Sequence, residues 1–369
     1  MRKAAAALLL ASLAAFGAVA VAQDTTAGSD YKLIKKAAVG GNGGFDYVFA
    51  DADGRKLYVP RSNRVDVFDL DTLKPAGTID QTNGVHGAAV DPKTKHGFCS
   101  SNPVVMWDTD TLKTIKTIPV QGRPDGILFD PFTQHVMILS HSQPNVTVID
   151  SNDGAVLGTI DLTGQPEQGA SDGAGKLYIS LEDQSKVAVV DSKAMKLLKT
   201  YDLAGKTGNP AGLALDAKNH ILFVSGRTPA ACVIMNADDG TIVTSLPVGN
   251  GVDASEFNPK TMEAFISTGD GKLTIIKETD PKTFAVEQTV TTLQGAKTST
   301  LDAKTNNILL ITNDPSVPPA TEPAAASAPA TAPDAGGPPG FGGGQFGRRG
   351  RGRGPAGTFS ILVVGKESQ

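Results

Sequence analysis

The chain has 369 residues, 20% charged and 5% aromatic side chains, and a formal net charge of −4, a balance that gives it no overall basic surface for nucleic acid. Its two cysteines, Cys99 and Cys232, stand far apart with no CxxC or CxxCH, which excludes thiolate metal clusters and covalent c-type haem. One tryptophan and five tyrosines are too few for a base-stacking platform.

From the N-terminus, Arg2 and Lys3, an Ala/Leu-rich run and the small-residue site Ala20-Val21-Ala22 predict a secretory signal peptide over 1–22, cleaved after Ala22. The mature chain is then periplasmic or secreted, soluble, and a single domain over 23–369. No later segment has the roughly 18 apolar residues of a membrane span. The next segment, "YKLIKKAAVG" (Tyr31–Gly40), reads as a strand without a local partner.

A repeat follows. The phrases Phe45-Asp46-Tyr47, Val85-His86-Gly87, Pro124-Asp125-Gly126, Pro166-Glu167-Gln168, Pro210-Ala211-Gly212, Val252-Asp253-Ala254 and Ala296-Lys297-Thr298 have middle residues 40, 39, 42, 44, 42 and 44 apart. Five residues after each comes Asp51, Asp91, Asp130, Asp172, Asp216, Asn258 and Asp302. An Asx side chain at a strand end holds the following turn by bonding backbone N–H groups, so this set is structural. Each unit holds four strand-like runs; in the third they are Gly126–Asp130, Val136–Ser140, Val146–Asp150 and Val156–Leu162. Seven such units predict an all-β, seven-bladed propeller of four-stranded antiparallel blades.

The seventh unit supplies "TSTLDA", "NILLITN" and, after an insertion, "GTFSILVVG", but no fourth strand. The Tyr31–Gly40 strand is expected to complete that blade and remove its open edge. Cys99 then falls on the second strand of blade 2 and Cys232 on the third strand of blade 5, both as buried free thiols.

The phrases "KLYVPRSNRVDVFDLDTL", "VTVIDSNDGAVLGTIDL" and "KLYISLEDQSKVAVVDSKAMK" resemble the YVTN-repeat (YncE-like) family of exported bacterial β-propellers, from about residue 31 to 313 and again from 358. The phrases "GGFDYV", "GVHG", "PDGILFDP", "LPVGNGVDASEFNP", "TGDGKLTIIKE" and "GAKTSTLD" are similar to one proteobacterial subgroup. The resemblance implies the propeller fold and export, and no settled reaction. The chain departs from the family at Lys297, where members usually carry Arg, and at Ala211, where they carry a polar residue.

In a propeller the loops entering the innermost strands share one face with the loops joining second and third strands. The first set carries Asp46, His86, Asp125, Glu167, Ala211, Asp253 and Lys297; the second carries Arg61, Arg64, His141, Glu182 and Arg227. The expected ligand-binding ring is Asp46, His86, Asp125, Glu167, Asp253 and Lys297, with Arg61, His141 and Arg227 leaning over it. Asp46, His86, Asp125 and Glu167 come from consecutive blades and can converge on a divalent cation, the imidazole favouring Mn²⁺ or Zn²⁺. No catalytic residue is assigned. His96, His135 and His220 recur in the opposite face's turns. "GASDG" around Ser171 imitates a nucleophile elbow but lies on an innermost strand, not at a strand-to-helix turn.

Residues 315–357 contain 9 Pro, 11 Gly and 9 Ala, without Ile, Leu, Met, Tyr or Trp, and read as a disordered insertion on the ring's face. Its tip carries Arg348, Arg349, Arg351 and Arg353, a candidate grip for an anionic polymer. The sequence therefore predicts an exported, monomeric, non-enzymatic propeller binding a small ligand, metal or envelope protein at its channel mouth. The alternatives are a metal-dependent, lactonase-like hydrolase and polyanion binding through the arginine arm.

Overall fold

Seven sheets of four antiparallel strands form a closed ring in the computed structural model, which describes residues 30–41, 44–317 and 359–366. The predicted signal peptide, nearly all of the 315–357 insertion and its four arginines lie outside the described residues. Among the described residues there is no helix, and so none long and apolar enough to cross a membrane.

The innermost strands are Phe49–Asp51, Ala88–Asp91, Pro124–Asp130, Pro166–Ser171, Pro210–Asp216, Val252–Asn258 and Ser299–Asp302. Each Asx expected to hold a turn does so. Asp51 accepts from Gly54 N–H at 2.9 Å, Asp91 from Lys93 at 2.9 Å, and Asp130 from Phe132 at 3.3 Å. Asp172 accepts from Ala174 at 2.7 Å, Asp216 from Lys218 at 3.0 Å, Asn258 from Lys260 at 3.0 Å and Asp302 from Lys304 at 3.1 Å. These bonds end the innermost strand and start the hairpin to the second, fixing the register of every blade.

The apolar alternation of the strands is buried between blades. Seven hydrophobic clusters fill the seven seams; one packs Tyr58, Val65 and Val67 of blade 1 on Cys99, Val105 and Trp107 of blade 2, and another closes the ring by packing Leu57 and Val59 of blade 1 on Ile311 and Ile361 of blade 7. Fully burying one such side chain stabilises by about 1.5–3 kcal/mol, so the seams hold the disc together. Cys99 and Cys232 are buried free thiols on the predicted strands.

Blade 7 runs outward in the order Ser299–Asp302, Asn307–Asn313, Phe359–Lys366, Tyr31–Ala38, so the N-terminal strand supplies its outer edge as expected. Tyr31 fastens it. Its ring meets Phe265 edge-on at 5.3 Å, its hydroxyl donates to Glu263 at 2.5 Å, and its backbone exchanges two hydrogen bonds with Gln288 of blade 6. Asn313 pairs with Phe359, so the chain leaves for the insertion and returns from it at the face that carries the loops between second and third strands.

Candidate functional site

One backbone device carries several polar side chains to the axis. A residue at or just past the end of the second strand donates its N–H to the loop that enters the innermost strand: His141 to Arg123 O at 3.2 Å, Glu182 to Gln165 O at 2.9 Å and Arg227 to Gly208 O at 2.9 Å. This ties the two loop sets of one blade together and tilts His141, Glu182 and Arg227 inward. Blade 1 breaks the pattern, because Arg61 N–H bonds to Arg64 O within its own tight turn. Arg61 is 1% exposed, its guanidinium 3.8 Å above the Phe359 ring in the blade 1–blade 7 seam, and is not brought into the cluster. Arg64 pairs with its neighbour Asp66 at 2.6 Å.

The remaining side chains form a chain of ion pairs around the axis. Lys297 Nζ lies 2.8 Å from Asp253 Oδ2 and 3.7 Å from Asp46 Oδ1. Asp46 Oδ2 is 2.7 Å from His86 Nδ1, which is 2.8 Å from Asp125 Oδ1. Asp125 Oδ2 is 2.7 Å from His141 Nε2, and Glu167 Oε1 is 3.7 Å beyond. Where Ala211 leaves the ring without a polar side chain, the Arg227 guanidinium enters and reaches Glu182 at 2.5 Å and Asp253 at 3.2 Å. Asp46, His86, Asp125, Glu167, Asp253, Lys297, His141 and Arg227 are thus assembled.

Asp125 belongs to two overlapping triads, Asp46/His86/Asp125 and Asp125/His141/Glu167, each with its ligand atoms within 4.8 Å of one another. The Arg123 guanidinium lies 3.4 Å from His141 Nδ1, and Nε2 faces Asp125. Among the described residues, that buried Nε2 makes no aligned hydrogen bond despite its short approach to the carboxylate.

Burial opposes every charge here, and neighbours decide which survive. For His86, burial lowers proton affinity, but the bonds to Asp125 and Asp46 overturn that and hold it at about 10. His141 is likewise raised by Asp125 against its burial. Burial pushes Asp125 up, while His141 and His86 pull it below the ordinary carboxylate range. Glu167 goes the other way: burial and the Asp125 charge raise it to about 8 against the Tyr47 hydroxyl that donates to it at 2.6 Å. The arrangement is a set of protons held where a cation of the right size could take their place.

Tyr47 and Gln168 also stand at the axis, although the sequence reading did not place them there. The residue immediately after each ring position is Tyr47, Gly87, Gly126, Gln168, Gly212, Ala254 and Thr298. Five are small because blades crowd there; a Cβ on Gly126 would stand 2.6 Å from the Glu167 carbonyl oxygen. The two large ones fill the axis. Gln168 accepts from the N–H groups of Leu213 and Ser255 at 2.9 Å and donates to Ser255 O at 3.0 Å, three bonds to blades 5 and 6. Tyr47 is bonded to Glu167. Reading the repeat in columns would have exposed both.

Other predicted features fall elsewhere. Ser171 donates to Asp130 at 2.6 Å at the far end of its strand. His96 and His135 begin second strands and His220 lies in the turn before one, all on the opposite face.

No family model matches the chain, and no curated protein matches it. Its fold is similar to a chain in the solved structure described as "Crystal Structure of Mitotic Checkpoint Complex", with 13% identity and a TM-score of 0.67 over 84% of this chain and 96% of that one. At that identity the likeness concerns the fold alone: the chain is a seven-bladed β-propeller.

Proposed function

We propose that this protein is a non-enzymatic binding propeller whose axial mouth takes a divalent cation, Mn²⁺ or Zn²⁺ in preference to Ca²⁺. The observation that carries the reading is Asp125, shared by two carboxylate–imidazole triads contributed by four consecutive blades and an overhanging loop. Mixed oxygen and imidazole donors suit these borderline cations, and carboxylates so close together need a positive partner. With the cation bound, Asp125 and the other members of one triad, Asp46 with His86 or His141 with Glu167, would be its donors. Export and kinship with the YVTN-repeat propellers belong to the same proposal, supported by the Arg2–Ala22 segment and by the quoted repeat phrases.

The test is metal analysis of the purified full chain with thermal melting before and after chelation. The expected result is one equivalent of retained or added cation, a midpoint that falls on chelation, and neither property in Asp125→Asn. A ligand at a hundred times its Kd stabilises by about 2.7 kcal/mol, enough to move the midpoint by several degrees. No bound Mn²⁺ or Zn²⁺ and an unchanged midpoint would refute it.

A second reading, metal-dependent ester or lactone hydrolysis, has one observation in its favour. Asp46, His86, Asp125 and Glu167 lie on consecutive blades at one mouth, where a bound cation would polarise an ester carbonyl and activate water. Turnover of a lactone panel by the cation-loaded protein, lost in Glu167→Gln, would establish it; no turnover would dismiss it.

A further inference from the structure

Beneath Tyr47 and Gln168 the axis opens into a cavity of about 530 Å³ that extends to Pro131 at the opposite face. None of Asp46, His86, Asp125 or Glu167 lines it, so it is distinct from the mouth. Its size is that of small-molecule pockets, which are apolar with a few placed polar groups. The wall here is more apolar than polar, with Phe49, Ile127, Phe129 and Leu301 among its side chains.

The polar groups of that wall are mostly engaged. Gln168 bonds to blades 5 and 6, Ser171 to Asp130, Ser299 to Ser267 and Thr300 to the Ala50 N–H. Tyr47 is held by Glu167. Glu256 is different. It is the only carboxylate in the lining, it is ringed by protein while keeping surface on the cavity, and no described residue bonds to it.

The repeat shows how unusual this is. Three residues after each ring position stand Phe49, Ala89, Leu128, Ala170, Ala214, Glu256 and Thr300. Six blades present a neutral side chain at that level and one presents an acid. A carboxyl without partners in an apolar wall costs stability, and packing alone would be served by a seventh neutral residue.

We propose that the axial cavity is a binding site for an organic cation, an amine or quaternary ammonium with an apolar body, whose charge pairs with Glu256. A bare metal ion does not fit, because one carboxylate among apolar side chains offers too few donors. A neutral apolar ligand would leave Glu256 buried without a partner. Phe49 and Phe129 add aromatic faces, which attract cations.

The electrostatics agree with the geometry. Burial alone raises Glu256, to about 8, with no neighbouring charge contributing. The adjacent strands present Ala214 and Thr300 at its level, Phe265 pairs with it on the second strand, and Tyr47 is the one other ionisable group in the wall. A fixed cation needs the ionised form, so its affinity follows the ionised fraction and rises roughly ten- to a hundredfold between pH 6 and 9.

The test is calorimetric titration of the full chain, in chelator, with benzyltrimethylammonium and its uncharged isostere neopentylbenzene. Saturable 1:1 binding of the cation is expected, at least tenfold tighter than the isostere and strengthening towards pH 9. Glu256→Gln should lose at least tenfold and flatten the pH dependence, with a cooperative melt confirming that it folds. Ala170→Leu, which narrows the cavity and leaves the acid, should also weaken binding, whereas Asp125→Asn at the mouth should leave it intact. Equal binding of cation and isostere, no binding of either, or loss in Asp125→Asn with Glu256→Gln unaffected would each overturn the proposal.

Discussion

Replacing His86 with asparagine removes the positive charge between Asp46 and Asp125 while keeping a hydrogen-bond donor beside both, at contacts now 2.7 and 2.8 Å. The folded protein holds His86 at about 10 against an ordinary 6.5. A raised histidine contributes stability that is fully present below its unfolded value and is lost as the pH climbs through its folded value. Linkage puts the contribution at up to about 4–5 kcal/mol at pH 6 and about 1 kcal/mol at pH 9. The mouth keeps some solvent, and screening trims the first figure to about 3 kcal/mol. Urea denaturation of both proteins at the two pH values, in chelator, measures the difference directly. A gap that is the same at pH 6 and pH 9, or a variant as stable as the parent at pH 6, would refute the assignment of a charged imidazole.

Three further outcomes are expected. Tyr31→Ala should unlatch blade 7 and cost about 3–5 kcal/mol in urea denaturation, with Tyr31→Phe, which loses only the bond to Glu263, costing about 1–3 kcal/mol; an Ala variant within 1 kcal/mol of the parent would remove the latch from the account. Gly126→Ala places a Cβ against the Glu167 carbonyl oxygen, so it should destabilise by about 1–3 kcal/mol and weaken the uptake of Mn²⁺ in the same titration; unchanged affinity would separate Glu167 from the site. Asp91→Ala gives up the bonds from Lys93 and Ser151, and should lower stability by about 1–3 kcal/mol without altering cation affinity; altered affinity would give Asp91 a role its position does not provide.

The ring, its closure and the turn-holding Asx set were legible because each rests on a repeated offset, and a constant offset in a repeat maps to a constant place in the blade. The convergence of Asp46, His86, Asp125, Glu167, Asp253 and Lys297 follows from the same arithmetic. Arg61 was not legible: its column says mouth, but its N–H closes onto Arg64 instead of onto an entering loop, and the side chain turns back over Phe359. Whether a hairpin turns on itself or leans on its neighbour depends on one backbone bond that no spacing records. Tyr47, Gln168 and Glu256 were legible in principle, since each is the odd member of a column of small or neutral residues. Nothing in the polar column itself marks them, because they lie one or three residues beyond it.

The central claim is that four blades and one overhanging loop gather a cation site at Asp125. Anomalous diffraction from a crystal of the full chain equilibrated with Zn²⁺ tests it most directly. The account predicts a peak near the axis, within bonding distance of Asp125 and at least one of His86 and His141. Occupancy only at sites away from the mouth, or an axial cluster unchanged at saturating Zn²⁺, would contradict it.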